Sequence, residues 1–314
     1  MRILIIDEMH PSLMPMLEQK GFEADYRPAA RAEEVLAIIG DYEGIIVRSK
    51  IKLDKVFFDK AQKLKFVARA GAGLDQIDTE EAERRQIQLL NAPQGNRDAV
   101  GEHAVGMLLC LFNKLHLADR QVRNYLWNRE ANRGLELYGK TVGIMGYGNM
   151  GKALARRLIG FGCQVLAYDI HEEKVDDFFV MKATPKDIFR EADIFSLHIP
   201  LTRENKAIFT EDFFQNFRKD IFLVNTARGE LLDLQLLKSL LISGRVKGMC
   251  LDVLENEKLA TLTPSQKEAF EYLIQSEKVL FSPHVAGWTV ESYVRINEVL
   301  VEKIAKIVPQ LSGK

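Results

Sequence analysis

The sequence predicts an α/β protein built on two parallel sheets, with a discontinuous first domain and a second domain inserted into it. Three observations carry this reading. Short apolar runs alternate with amphipathic helical patterns from end to end, as they do in chains of βαβ units. The alternation runs twice, and a helical pattern longer than a single unit needs lies between the two series. A last helical pattern follows the second series and reads as a return to the first domain. The predicted boundaries are 1–96 with 289–314 for the first domain and 97–288 for the second.

Taken in order, "RILIID" is a strand and "PSLMPMLEQKG" a helix with a glycine stop. "YEGIIVRS" is a strand, "DKVFFDKAQ" a helix and "LKFVARAG" a third strand. From about residue 97 the stretch "RDAVGEHAVGMLLCLFNKLHLADRQVRN" sets Val100, Ala104, Met107, Leu108 and Leu111 along one helical stripe. "YLWNREANRGLELYGK" is mixed and glycine-punctuated, and reads as an arm that packs on a second subunit. The second series has six strands: "TVGIMG", "QVLAYD", "IFSLHI", "FLVNTA", "GMCLDV" and "KVLFSPH". In "TPKDIF" the helix start is explicit, with Thr184 as N-cap, Pro185 in the first helical position and Asp187 near the positive end of the helix. "TVESYVRINEVLVEKIAKIV" is the returning helix.

Composition narrows the class. Hydrophobic residues are 47% of the 314, enough for packed cores and far from the make-up of a disordered chain. The 43 basic and 44 acidic residues leave a net charge of −1 with no block of one sign, so neither nucleic acid nor an anionic membrane surface is an expected partner. No run of about 18 apolar residues predicts a membrane span. Cys110, Cys163 and Cys250 are scattered in apolar stretches and read as small buried hydrophobes, without metal-binding spacing. The start "MRILIID" reads as a strand and not as a signal peptide, and the expected location is the reducing cytoplasm.

The stretch "GYGNMG" follows a strand, precedes a helix, and is followed by a strand ending in Asp169, 23 residues beyond Gly146. In that context a G-x-G-x-x-G turn is a dinucleotide site. Gly146 allows the tight turn, Gly148 lets the backbone approach a pyrophosphate, and Gly151 lets helix and strand pack closely. The first N–H groups of the helix then face the phosphates. A carboxylate at Asp169 accepts from ribose hydroxyls and repels a 2′-phosphate, so NAD is the expected cofactor. His171 and Lys174 nearby leave residual NADP use open.

Ligands of open α/β sheets bind beyond the carboxyl ends of strands. Arg228 in "NTARGE", Glu257 in "LDVLENE" and His284 in "SPHVAGW" all follow strands of the second series. Histidine titrates near neutrality and serves as acid or base in both directions of a hydride transfer from a hydroxy acid. A neighbouring carboxylate fixes its tautomer, and a guanidinium holds the substrate carboxylate and polarises the adjacent carbonyl. His198 is a second histidine at a strand end and reads as a neighbour of the cofactor, not as a second base.

With these motifs in this order, from about Ile45 to His284, the sequence resembles the D-isomer-specific 2-hydroxyacid dehydrogenases. That likeness implies two Rossmann-like, flavodoxin-like domains, a substrate domain and an NAD-binding domain. It implies that Arg228 binds substrate, Glu257 orients the base and His284 is the acid/base. "GIIVRSK", "VARAGAGLDQID" and "NAPQGNRDAVGEHAVGMLL" resemble the phosphoglycerate dehydrogenase branch. The branch implies that Arg48 and Ser49 face the substrate and that N–H groups around Ala70, Gly71 and Ala72 bind its carboxylate, as a glycine-dense turn is able to do. By the same likeness Asn149 and Met150 lie in the phosphate turn, and Ile199 and Pro200 pass the adenosine. Thr226, Ala227 and Asp252 line the nicotinamide end, with Gly287 after the histidine. Arg133 is a candidate for charge supplied by a second subunit, and a homodimer is expected.

Three features depart from the family pattern. Lys258 follows Glu257 where proline is common, and the 27 residues from Glu257 to His284 include an extra helical pattern, "PSQKEAFEYL". Trp288 stands where the phosphoglycerate branch commonly has a small residue. The expected reaction is NAD-dependent oxidation of 3-phospho-D-glycerate to 3-phosphohydroxypyruvate, the entry to serine synthesis. The alternatives are a hydroxypyruvate or glyoxylate reductase, a D-lactate-type dehydrogenase, and a non-catalytic NAD(H)-sensing protein. A formate dehydrogenase is disfavoured, because formate has no hydroxyl proton for a His–Glu pair to take. With no pattern after the last helix, an appended regulatory domain is not expected.

Overall fold

A computed structural model describes residues 1–312. The chain divides into two compact units, Met1–Arg97 with Trp288–Lys314, and Asp98–Gly287. The first unit holds five parallel strands, β1 (Arg2–Ile5), β2 (Glu23–Tyr26), β3 (Gly44–Val47), β4 (Phe66–Arg69) and β5 (Gln88–Asn91). Their order is β2-β1-β3-β4-β5, which reverses at the β1/β3 pair as in flavodoxin-like sheets. Successive residues of one strand face opposite sides, so two cores form. Leu4, Ile45, Val47, Phe57, Phe58 and Val67 fill one. Ile3, Ile5, Ile46, Phe66 and Ala68 fill the other, together with Ile296, Leu300 and Ile304 of the helix Val290–Ser312. Those three positions recur every four residues and lie on the buried stripe of that helix.

The second unit holds seven parallel strands, β6 (Thr141–Met145), β7 (Gln164–Tyr168), β8 (Met181–Lys182), β9 (Ile194–Leu197), β10 (Ile221–Asn225), β11 (Val246–Leu251) and β12 (Val279–Phe281). The order β12-β11-β10-β9-β6-β7-β8 reverses at β6/β9, the dinucleotide-binding arrangement. β6, β9 and β10 are buried along their whole length, and so read as unbroken apolar runs. Three strands lack that signal. β2 and β5 are short and part-exposed, and β8 is an exposed pair of residues, so none is visible as an apolar run.

The long helical pattern is two helices, not one. The first is Pro93–Phe112 and the second Leu115–Arg123, with Lys114 in the left-handed region at φ 52° between them. The first helix also starts earlier than about residue 97, at a proline that suits a first turn. Thr184 does cap its helix, its hydroxyl accepting from the Asp187 N–H while the Asp187 carboxylate accepts from the Thr184 N–H. The extra pattern is the helix Pro264–Gln275, closed by a capping box of Thr263 and Gln266. Residues after Arg123 form an exposed arm, with Tyr125 at 99% and Trp127 at 78% exposure. All three cysteines are free, Cys250 is buried, and burial pushes the Cys163 and Cys250 thiols up. No helix among the described residues is long and apolar enough to cross a membrane.

Candidate active site

At the β6/β9 reversal the chain leaves β6 through Gly146, whose φ of 95° suits glycine. A Cβ there would sit 2.7 Å from the His198 carbonyl. A Cβ on Gly151 would sit 2.2 Å from the Gly146 oxygen, so the helix Asn149–Leu158 packs onto its own turn only through a glycine. Nothing lies within 4 Å of the same position on Gly148, which leaves the backbone open on that side. The N–H groups of Gly148, Asn149 and Met150 have no acceptor among the described residues. A helix of ten residues thus presents unfilled donors and its positive end beside open space.

Asp169 fixes this turn. Its carboxylate accepts from the Tyr147 N–H at 2.8 Å and the His171 N–H at 2.9 Å, and the Lys174 ammonium lies 3.8 Å away. Below, the hydroxyl of the buried Tyr147 donates to Asp177 at 2.8 Å. Ile199 packs beside Gly146, and Pro200 is exposed and receives the Asn205 amide at its carbonyl. His198 is pushed down to about 4 by burial, so it is neutral. Its Nε2 meets the Ser196 hydroxyl at 2.8 Å, and its Nδ1 is buried with no partner. The Thr226 hydroxyl is also buried and unpartnered. Open donors at Gly148–Met150 and unfilled polar atoms at Thr226 and His198 fit a dinucleotide better than they fit a closed protein surface.

At the carboxyl ends of β10, β11 and β12 a hydrogen-bonded framework holds the three candidate side chains. The Asn225 amide donates to the Arg228 carbonyl at 2.9 Å, and its oxygen accepts from the Ala227 N–H at 3.0 Å. The Asn225 carbonyl accepts from the Asp252 N–H, and the Asp252 carbonyl accepts from the His284 N–H at 2.7 Å. The loops carrying Arg228 and His284 are therefore linked through two buried residues. A Cβ on Gly229 would lie 2.0 Å from the Leu254 carbonyl, so this glycine lets the Glu257 loop close against the Arg228 loop. Arg228 also donates to the Ala227 carbonyl at 2.6 Å.

His284 has φ 55°, a left-handed backbone that a histidine adopts at a cost. Asp252 supports it. Its buried carboxylate accepts from the Ser282 hydroxyl at 2.6 Å and from the N–H groups of Val285 and Ala286 at 2.9 Å. Asp252 thus holds the histidine loop. The His103 Nε2 meets the Ser282 hydroxyl at 2.8 Å and ties the helix Pro93–Phe112 to the same loop. So held, His284 sets its Nδ1 2.7 Å from the Glu257 Oε1. Both side chains are 47% exposed. The Glu257 carboxylate accepts from the Nδ1–H and leaves Nε2 as the free base. Lys258 has a local reason: its N–H closes a turn on the Asn256 side chain at 3.0 Å, which proline is unable to do.

In the first unit the reversal point is built differently. The Asp7 carboxylate, 7% exposed, accepts from the N–H groups of Arg48 at 2.7 Å, Ser49 at 3.3 Å and Lys50 at 3.2 Å. The Ala70 and Gly71 N–H groups, expected to face a carboxylate, are spent on Val47 and Arg69 carbonyls. Those of Ala72, the third of the expected set, and of Gly73 have no acceptor among the described residues. The Arg48 guanidinium lies 3.9 Å over the Trp288 ring. Arg133 pairs with Glu130 at 2.6 Å within the arm, and Gly287 ends the histidine loop. No group of metal ligands occurs among the described residues. Asp7, Asn225, Ser282 and His103 escaped the sequence reading. Asp7 alone had a usable signal, its place at the carboxyl end of the first strand.

Residues 105–286 match the family model described as "D-isomer specific 2-hydroxyacid dehydrogenase, NAD binding domain". A D-3-phosphoglycerate dehydrogenase of Archaeoglobus fulgidus is 30% identical over 98% of this chain and 57% of its own length. A hydroxypyruvate reductase of Thermotoga maritima is 34% identical over 87% of each chain. The TT0316 protein of Thermus thermophilus superposes with a TM-score of 0.82 at 26% identity, over 99% of this chain and 97% of that one. The chain spans 57% of the length of several of the curated relatives it matches.

Proposed function

The chain belongs to the D-isomer-specific 2-hydroxyacid dehydrogenase family, and on that premise we propose that it interconverts a D-2-hydroxy acid and its 2-oxo acid with NAD. The observation that carries the proposal is the His284–Glu257 pair at 2.7 Å, held on a strained loop beyond the carboxyl ends of β11 and β12. His284 Nε2 takes the hydroxyl proton of the hydroxy acid as C2 loses hydride, and returns it in the reverse direction. Glu257 holds the Nδ1 proton throughout and stabilises the charged ring formed at that moment. Arg228 binds the substrate carboxylate and polarises the C2 oxygen. A bound nicotinamide accepts or supplies the hydride. Gly148, Asn149 and Met150 would hold its pyrophosphate, Asp169 would take the ribose hydroxyls, and Thr226 and Ala227 would meet the nicotinamide end.

We assign 3-phospho-D-glycerate as the substrate, with a role in serine synthesis, on the likeness to D-3-phosphoglycerate dehydrogenases and the Arg48 cation in the first unit. The likeness to a hydroxypyruvate reductase over 87% of both chains favours hydroxypyruvate as the second reading. The deciding measurement is reduction of phosphohydroxypyruvate, hydroxypyruvate, glyoxylate and pyruvate with NADH and with NADPH. A kcat/KM for phosphohydroxypyruvate no higher than for the others overturns the first assignment. The exposed aromatic arm supports a homodimer, and the three free thiols suit the cytoplasm. Sedimentation of the protein against a Trp127→Glu variant tests the association.

A further inference from the structure

We propose that Trp288 and Tyr293 form an aromatic clamp that fixes the Arg48 guanidinium and so selects substrates with a second anionic group. This rests on the functional reading above and names what distinguishes its substrate. Every part of the clamp lies in the first unit. The guanidinium centre is 3.9 Å over the Trp288 ring and 5.2 Å from that of Tyr293. The two rings are 4.9 Å apart at 42°, and His10 meets Tyr293 edge-on at 5.5 Å.

The rings are themselves held. The Tyr293 hydroxyl donates to the Glu8 carbonyl at 2.9 Å. Burial pushes its phenol up, with the Arg48 charge opposing, so it stays a neutral donor. Trp288 enters the helix Val290–Ser312 directly ahead of a reciprocal cap. There the Thr289 N–H donates to the Ser292 hydroxyl at 2.9 Å and the Ser292 N–H to the Thr289 hydroxyl at 3.0 Å. The backbone of Arg48 is pinned from the other side by the Asp7 carboxylate.

A guanidinium is flat, and its donors lie in its plane. A ring against one face uses up no edge donor, although the Tyr293 hydroxyl accepts from one of them, and it removes the rotamer freedom that an exposed arginine normally loses on binding. No carboxylate among the described residues pairs with the Arg48 side chain, in a chain that carries 44 acids. An oriented cation without a countercharge is a receptor for a carboxylate or phosphate. The family-unusual Trp288 therefore orients the selecting charge.

The test compares KM values for phosphohydroxypyruvate, 2-oxoglutarate and glyoxylate, which carry a distal phosphate, a distal carboxylate and no distal group. Trp288→Leu is expected to raise KM for the first two roughly five- to thirtyfold, with kcat and the glyoxylate KM changed less than about twofold. Trp288→Phe, which keeps a ring, restores most of the difference. In an Arg48→Leu background Trp288→Leu has no further effect. An equal rise for all three substrates, or additive effects of the two substitutions, overturns the clamp. A wild-type protein that turns over no 2-oxo acid overturns the functional reading instead. The clamp is then read by Trp288 fluorescence in a Trp127→Phe variant titrated with phosphohydroxypyruvate. An Arg48-dependent change supports it, and no change overturns it.

Discussion

The two sheets each reverse strand order once, and they use the reversal in opposite ways. In the second unit the turn after β6 keeps its backbone donors open, because glycine at 148 leaves space and no side chain fills it. In the first unit the turn after β3 has its three N–H groups closed by Asp7, and what it offers is the side chain of Arg48. Backbone donors fit any phosphate of the right shape and suit a cofactor used by many enzymes. A single oriented cation discriminates, because it rewards only ligands that bring a charge to it. On the proposed function, similar topology serves carrier binding in one unit and selection in the other, and the acid/base pair belongs to the carrier unit.

This division is broken most forcefully at His284. Its replacement by alanine is expected to lower kcat by about 10²–10⁴-fold for every substrate while the NADH dissociation constant holds. A loss confined to phosphorylated substrates would move the histidine from chemistry to recognition. Gly151→Ala should come next. The new Cβ meets the Gly146 oxygen at 2.2 Å, so the turn must open. NADH affinity is expected to fall at least about tenfold and stability by about 1–3 kcal/mol, read by fluorescence titration and thermal melting. Asp7→Ala probes the other turn. Three N–H groups lose their acceptor, costing about 1–3 kcal/mol, and KM for an anionic 2-oxo acid should rise with NADH affinity unchanged. A fall in NADH affinity as large as the rise in KM would erase the contrast between the two units.

The candidate residues were legible in the sequence because they are punctuated. Glycines flank or follow Arg228 and His284, and buried strands precede them as apolar runs. The frame that holds them was not. Asn225 bonds backbone groups of its own turn, Asp252 bonds those of the histidine loop, and Ser282 bonds the Asp252 carboxylate, and such bonds leave no period and no spacing. Asp7 looks like any solvated acid after a strand until β3 is placed beside β1. The edge strands β2 and β8 are exposed and short, so the apolar pattern that announces a buried strand has nothing to act on. The break at Lys114 was hidden for the opposite reason, since the stripe of Leu108 and Leu111 continues into Leu115 without a glycine or proline between.

The smallest expected effect bears most sharply on the carrier unit. The Thr226 hydroxyl is buried without a partner, a state that costs the free protein the desolvation of a polar group. Valine has nearly the same shape and no hydroxyl. If the hydroxyl serves only the fold, Thr226→Val should be neutral or should raise the melting temperature by a few degrees, with no change in cofactor binding. If it is kept for the cofactor, the same gain in stability should come with a loss of about 1 kcal/mol in NADH binding, roughly fivefold in affinity. Stability and affinity would then move in opposite directions in one variant. A structural hydroxyl gives no such signature, and its absence would remove Thr226 from the nicotinamide site while leaving the glycine turn and the His284–Glu257 pair untouched.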